Sequence, residues 1–167
     1  GLHGVGASVV NALSSRLDVE VTRTSKVHAM SFRRGEPGVF DDPKAGPSPD
    51  SEFAPFVDRS ELRIVGKAKR GLTGTKVRYW ADRQVFPKSA VFSYDELVAR
   101  IRQTTFLVPG LEITLRDERG IPGTPGENGP HEETYLATGG SVDFVDFLAP
   151  DAPVTNTWHF TGTGSFK

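Results

Sequence analysis

Apolar positions along this chain change their period several times, and each change marks an element. Val9, Val10 and Leu13 recur on one side of a 3.6-residue period while Asn11, Ser14 and Ser15 fall elsewhere, which predicts a short helix from Gly6 to Ser15. Leu17-Asp-Val-Glu-Val21 then alternates strictly, the pattern of a half-buried strand. Val27 to Phe32 alternates again after Thr24-Ser25-Lys26, so the two runs predict an antiparallel hairpin. Between Arg33 and Ser60 both periods fail. The run RRGEPGVFDDPKAGPSPDSEFAPF is dense in Pro, Gly, Asp and Ser and predicts a long surface excursion.

Regular structure resumes with two predicted strands, Leu62-Arg-Ile-Val65 and Thr75-Lys-Val-Arg-Tyr-Trp80, on either side of the glycine-punctuated KRGLTGT. Ser93 with Glu96 three residues on is a capping box. It opens a helix carrying Leu97, Val98, Ile101 and Phe106 that stops at Pro109-Gly110. Leu111 to Leu115 alternates as a strand, IPGTPGENGP is a loop, and Glu133 to Ala137 is a further strand leading to Gly139-Gly140. Ser141 is expected to cap a short helix with Val142, Phe144, Val145 and Leu148 on its apolar face, and Thr157 to Thr161 to begin another strand. The aromatic residues, alternating in strands or lying on helical faces, are assigned to the core. Strands and helices that intermix without an internal repeat predict an α+β sandwich with helices on one face of a mixed sheet. The last strand has no visible partner before Lys167, as if a second unit starts and stops.

Composition narrows the function classes. With 37% hydrophobic and 25% charged residues in 167, the chain is an ordinary globular one rather than a disordered one. A formal net charge of −1 gives no case for a strongly basic nucleic-acid module. The lack of Cys removes disulfides and thiolate metal sites, and no apolar run approaches the roughly 18 residues that span a bilayer. A reducing, cytoplasmic setting without a membrane partner is expected. His3, His28, His131 and His159 are scattered with no metal-ligand spacing, and the charged turn Asp117-Glu118-Arg119 is expected to be a solvated strand end.

The chemistry is concentrated at the start. Gly1, Gly4 and Gly6 run directly into the predicted first helix, whose unpaired N–H groups and positive dipole end form a natural place for phosphate. Glycine there permits φ > 0 and lets backbone approach an anion without a Cβ in the way. The spacing G-x-x-G-x-G is not the dinucleotide fingerprint, since no strand precedes it, and no Gly-Lys-Ser/Thr makes it a Walker loop. By pattern alone a plain loop-to-helix turn and an anion site both remain open.

The whole string GLHGVGASVVNALSSRL resembles the ATPase region of type IIA DNA topoisomerase B subunits, gyrase B and topoisomerase IV B, of the GHKL superfamily. TGTKVRYWAD, RQTTFLVPGLEITLRDER and EETYLATGGSVDFVDFL are similar to that family's successive downstream blocks, so nearly the whole chain is covered. Chaperones, mismatch-repair ATPases and sensor kinases share the glycine pattern, but the LHGVGASVVNALS continuation and LVPGLEITLRDER resemble the topoisomerases. The resemblance implies the C-terminal part of a GHKL (Bergerat) ATPase α/β sandwich at 1–139, with 34–70 as a loop-rich excursion. The start of the transducer domain, ribosomal S5 domain 2-like, is implied at 140–167. The length of the excursion and of IPGTPGENGP resembles the topoisomerase IV branch more than the shortest gyrase B proteins.

Residue by residue, the resemblance implies that Gly1, Leu2, His3, Gly4, Val5 and Gly6 wrap the triphosphate of ATP. It implies that Arg23 stands at the mouth of the adenine pocket and that Thr75 hydrogen-bonds near the adenine edge. Each has a plain alternative, a surface arginine or a β-favouring threonine. In the family the catalytic Glu, the Mg²⁺-binding Asn and the adenine-reading Asp lie upstream of GLHGVG, and the γ-phosphate Lys lies beyond the last block matched here. No residue of this chain therefore receives a catalytic or metal role, and a chain beginning without Met is expected to be an internal piece of a longer protein. The implied parent is an ATP-hydrolysing topoisomerase that works on DNA with a topoisomerase A subunit and homodimerises on ATP binding. The competing classes are a non-catalytic nucleotide-binding module and another GHKL ATPase such as a repair protein.

Overall fold

The alternating runs 17–21 and 27–32 fold as their pattern demands. In the computed structural model, which describes residues 5–58, 61–149, 151, 154–158, 160, 162 and 164, a short helix α1 (Gly6–Ala12) leads into β1 (Ser14–Arg23). That strand turns back as β2 (Lys26–Arg33), in antiparallel register from Leu17 opposite Phe32 to Arg23 opposite Lys26. Thr24 and Ser25 make the two-residue turn with φ of 51° and 59°, the double positive φ that matches the right-handed twist of a hairpin. The helix is shorter than its apolar period predicts. Ser14 is already in sheet, pairing with Ala81, and its main-chain oxygen accepts from Arg34 N at 3.0 Å.

The excursion after Arg33 corrects the expectation of irregular structure. Arg34 and Gly35, at φ 50° and 86°, form a second two-residue turn into β3 (Glu36–Asp41), which pairs with β4 (Glu52–Pro55). Among the described residues, 42–51 and the stretch from 56 to the start of the next strand stay outside regular structure. Gly38 is required here for contact rather than for conformation: an added Cβ would fall on Ala54 O and lie 2.5 Å from the Phe53 ring, which packs across the strand onto it. Then β5 (Arg63–Lys67) pairs with β2, and β6 (Gly74–Ala81) pairs with β1. The sheet order is β4-β3-β2-β1-β6, with β5 also against β2, and every pairing among the described residues is antiparallel where a mixed sheet is expected.

Strand register divides the side chains into two populations. Leu17, Val19, Val21 and Arg23 share one face with Phe32, Met30 and His28 of β2 and with Tyr79, Val77 and Thr75 of β6. Asp18 and Glu20 share the other with Ser31, Ala29, Arg78 and Lys76. On that second face Arg16 is only 3% exposed. Its Nε donates to Asp18 at 2.9 Å, its Nη2 to Asp42 at 2.8 Å and its Nη1 to the Ser48 carbonyl at 2.8 Å. The guanidinium lies 4.0 Å from the Phe40 ring centroid and 5.5 Å from that of Trp80. A buried charge survives only when paired and hydrogen-bonded, and Arg16 meets both conditions while tying the 42–51 loop to the sheet. The hydrogen bond from Arg16 holds the Asp42 carboxyl well below the usual carboxylate range.

The chain forms two units, Gly1–Ala90 and Val91–Lys167, and the second is built on α2 (Tyr94–Leu107). Ser93 caps it as the capping box predicts, its Oγ accepting from Glu96 N at 3.3 Å. The helix packs on a hairpin of β7 (Glu112–Asp117) and β8 (His131–Leu136) and on α3 (Ser141–Leu148), where Phe106 meets Phe144 and Phe147 at 5.4 Å each. Tyr94 and Tyr135 both donate to Glu133 Oε2, at 3.0 and 2.5 Å. Three expectations change in this unit. Asp117 is buried rather than solvated, holding Arg119 through Nε and Nη2 at 2.7 Å each, while Arg119 Nη1 reaches the Phe92 carbonyl. Gly140, not Ser141, is the N-cap of α3, and Asp143 accepts from Gly139 N at 2.8 Å. Of the strand predicted at Thr157 to Thr161, His159 and Thr161 lie outside the described residues, and Thr157, Trp158 and Phe160 are not in a strand. Trp158 and Phe160 are exposed rather than core.

Candidate functional site

Two of the residues singled out by sequence meet on one sheet face. Thr75 stands opposite Val21 across the β1–β6 ladder, and Arg23 lies two residues farther along β1 on that same face. A diagonal pair of this kind brings Cβ atoms to about 7–8 Å, within reach of one bound group. Both side chains are exposed, and no carboxylate among the described residues pairs with the Arg23 guanidinium. The surroundings are apolar: Val21 and Val77, the alternate neighbours of Thr75, are 36% and 54% exposed. An apolar floor with one hydroxyl and one cation at its edge can accept a flat, polar-edged ring and an anionic group.

The helix start is open as well. Val5 is the N-cap of α1, and among the described residues no side chain caps the helix and its first turn holds no acidic residue, so those residues leave the orphan N–H groups and the dipole without an acceptor. Gly6 lies in the helix, and an added Cβ would meet nothing within 4 Å, so packing inside the described chain does not ask for glycine there. Gly1, Leu2, His3 and Gly4 lie outside the described residues.

The DNA gyrase B protein of Halalkalibacterium halodurans is 38% identical over 148 residues, and that of Staphylococcus aureus 35% over 148, each alignment covering 89% of this chain. A crystal structure of the 43K ATPase domain of Thermus thermophilus gyrase B in complex with an aminocoumarin matches 89% of the chain with TM-score 0.64 and 35% identity. The chain is a homologue of the gyrase B ATPase region. It spans 18% of the length of those curated gyrase B relatives and 32% of the solved gyrase B chain. No protein-family model matches it. The α+β class read from the sequence holds for this gyrase B homologue, with its sheet antiparallel throughout the described residues.

Sequence reasoning misses three neighbours on the site face. Val21 and Val77 are legible in principle, being the period-2 companions of Arg23 and Thr75. His28 reads as one of four scattered histidines, yet the register sets it in one row with Val21 and Thr75, and its Nδ1 is buried without a hydrogen-bond partner among the described residues.

Proposed function

We propose that the parent protein is the ATP-hydrolysing B subunit of a type II DNA topoisomerase, and that this chain supplies the phosphate-loop half of its ATP site. The observation that carries the reading is the placing of Arg23 and Thr75 on one exposed face around Val21 and Val77, in a chain homologous to the gyrase B ATPase region. Gly1 to Gly6 would donate main-chain N–H groups to the triphosphate, Thr75 would hydrogen-bond at the adenine edge, and Arg23 would close the pocket mouth. ATP binding would draw two copies of the parent together and couple their closure, with a topoisomerase A subunit, to passage of one DNA duplex through another. The ATPase domain would occupy 1–139 and the transducer domain would begin at 140.

Mg²⁺ would neutralise the phosphates, but no group of three His, Asp or Glu able to hold a metal ion occurs among the described residues. No residue of this chain is assigned to it. No helix among the described residues is long and apolar enough to cross a membrane, and a cytoplasmic setting belongs to the same reading.

The parent protein, titrated with ATP, tests it. Thr75→Ala removes one hydrogen bond of about 1–1.5 kcal/mol, so affinity is expected to fall about tenfold, and Arg23→Ala to weaken binding as well. Unchanged affinity in both variants overturns the site. Binding by the unsubstituted parent without DNA-dependent turnover leaves a non-catalytic module in its place.

A further inference from the structure

The sheet face opposite Arg23 and Thr75 carries an excess of positive charge that the whole chain lacks. Two cavities of about 620 and 210 Å³ open there, lined together by seven cations against five carboxylates, in a chain of net charge −1. Most of those carboxylates are already committed. Asp18 and Asp42 hold Arg16, Asp82 holds Arg34, and Glu20 stands 4.0 Å from Lys76. Arg33, Arg63, Arg78 and Arg83 have no carboxylate within 4.0 Å among the described residues.

Two of the four are fixed without being neutralised. Arg33 Nη2 donates to the carbonyls of Pro49 and Ser51 at 3.2 and 2.6 Å, and its guanidinium lies 5.0 Å from the ring centroids of both Phe40 and Phe53. Arg83 Nη1 donates to the carbonyls of Pro87 and Ala90 at 3.1 and 3.3 Å. Carbonyl acceptors orient a guanidinium and leave its charge in place, so the remaining N–H groups stand ready for an outside anion. The planar fork of arginine suits phosphate oxygens, and several such groups along one face suit a phosphodiester backbone rather than one isolated ion. Asp50, at the lining of the larger cavity, and Glu36, which stands opposite Arg33 in the β2–β3 register, are the carboxylates that oppose it.

The geometry points to a phosphate track for duplex DNA on this face, with Arg33 and Arg83 as its fixed contacts, on the side of the sheet away from the nucleotide. The choice of DNA rests on the topoisomerase reading of the parent. Contacts of this kind position a duplex and carry no sequence preference.

The test uses the parent protein and a mixed-sequence duplex titrated across a range of NaCl. Each phosphate neutralised contributes about 0.9 to the slope of log K against log salt, so Arg83→Gln is expected to lower the slope by about 1 and the Arg33→Gln/Arg83→Gln pair by about 2. Arg83 is exposed and touches only carbonyls, so the single variant reads the effect even where the pair disturbs the Phe40–Phe53 stack. Asp50→Asn is expected to tighten DNA binding, and ATP affinity to stay unchanged in every variant. A slope that does not move in Arg83→Gln overturns the track. Stronger displacement of the duplex by poly-glutamate than by unlabelled duplex of equal charge overturns it in favour of an acidic protein. Displacement by inorganic phosphate beyond the effect of chloride at equal ionic strength overturns it in favour of a free-phosphate site. Failure of the parent to bind ATP would sink the topoisomerase reading while leaving the slope measurement intact.

Discussion

Gly6 and Gly38 show two different reasons for having no side chain. At Gly38 the neighbouring strand already fills the space, so Gly38→Val is expected to cost about 2 kcal/mol by overpacking and to part β3 from β4. Chemical denaturation of the parent, followed by a probe in the first unit, measures it. At Gly6 the space is empty and the backbone is helical, so Gly6→Ala is expected to change stability by less than about 1 kcal/mol. If ATP phosphates approach that backbone, the same substitution lowers ATP affinity at least several-fold. Thermal melting and ATP titration of one preparation separate the two effects, and unaltered affinity removes Gly6 from the site. Arg16 is the residue least legible beforehand. An arginine in an alternating strand reads as solvent-facing, and only the fold brings Asp42 and Ser48 from 26 and 32 positions away to enclose it.

At the scale of elements, alternation predicts β1, β2, β6 and β7 because their polar positions truly face away from the apolar ones. It fails for β3 and β4 because Pro37, Gly38 and Pro55 break the composition of a strand. Two of the three are tolerated for a local reason. Pro55 ends β4, an edge strand among the described residues, and Gly38 makes room for Phe53. The end of α1 is misplaced because a helical period says nothing of where sheet pairing takes over, and here Ser14 is captured by Ala81 and Arg34. The second hairpin carries a pH signature. The hydrogen bond from Arg119 pushes the Asp117 carboxyl down to about 2 from 3.8. A depressed carboxyl contributes its stability in full above the unfolded value and loses it as pH falls through the folded one. The end of β7 is therefore expected to loosen between about pH 4 and 2, a step that Asp117→Asn lacks when melting temperature is followed against pH.

For the whole molecule, net charge is a poor guide to surface chemistry. A total of −1 conceals one sheet face of apolar side chains edged by Arg23 and Thr75 and another crowded with guanidinium groups. The sequence resemblance locates the first, since it assigns roles to Arg23 and Thr75 one residue at a time. The second joins positions from 16 to 83 to which the resemblance gives no common role, so only register and loop closure assemble it. As an isolated polypeptide, this chain is expected to show no Mg²⁺-dependent ATP turnover, because the resemblance puts the base and the metal ligand upstream of Gly1. A phosphate-release assay with measurable turnover would refute that.

The grip of Arg16 on the 42–51 segment also governs how the protein meets a protease. A Pro-, Gly- and Asp-rich surface loop is ordinarily an early cutting site, yet Asp42 and Ser48 are fastened to a buried guanidinium, and Lys44 sits between them. Cleavage needs that stretch to leave the sheet, so its rate follows the free energy of local opening. In Arg16→Met, which leaves Asp18 and Asp42 without their cation at a cost of about 3 kcal/mol, trypsin is expected to nick the chain after Lys44 well before the native protein is cut there.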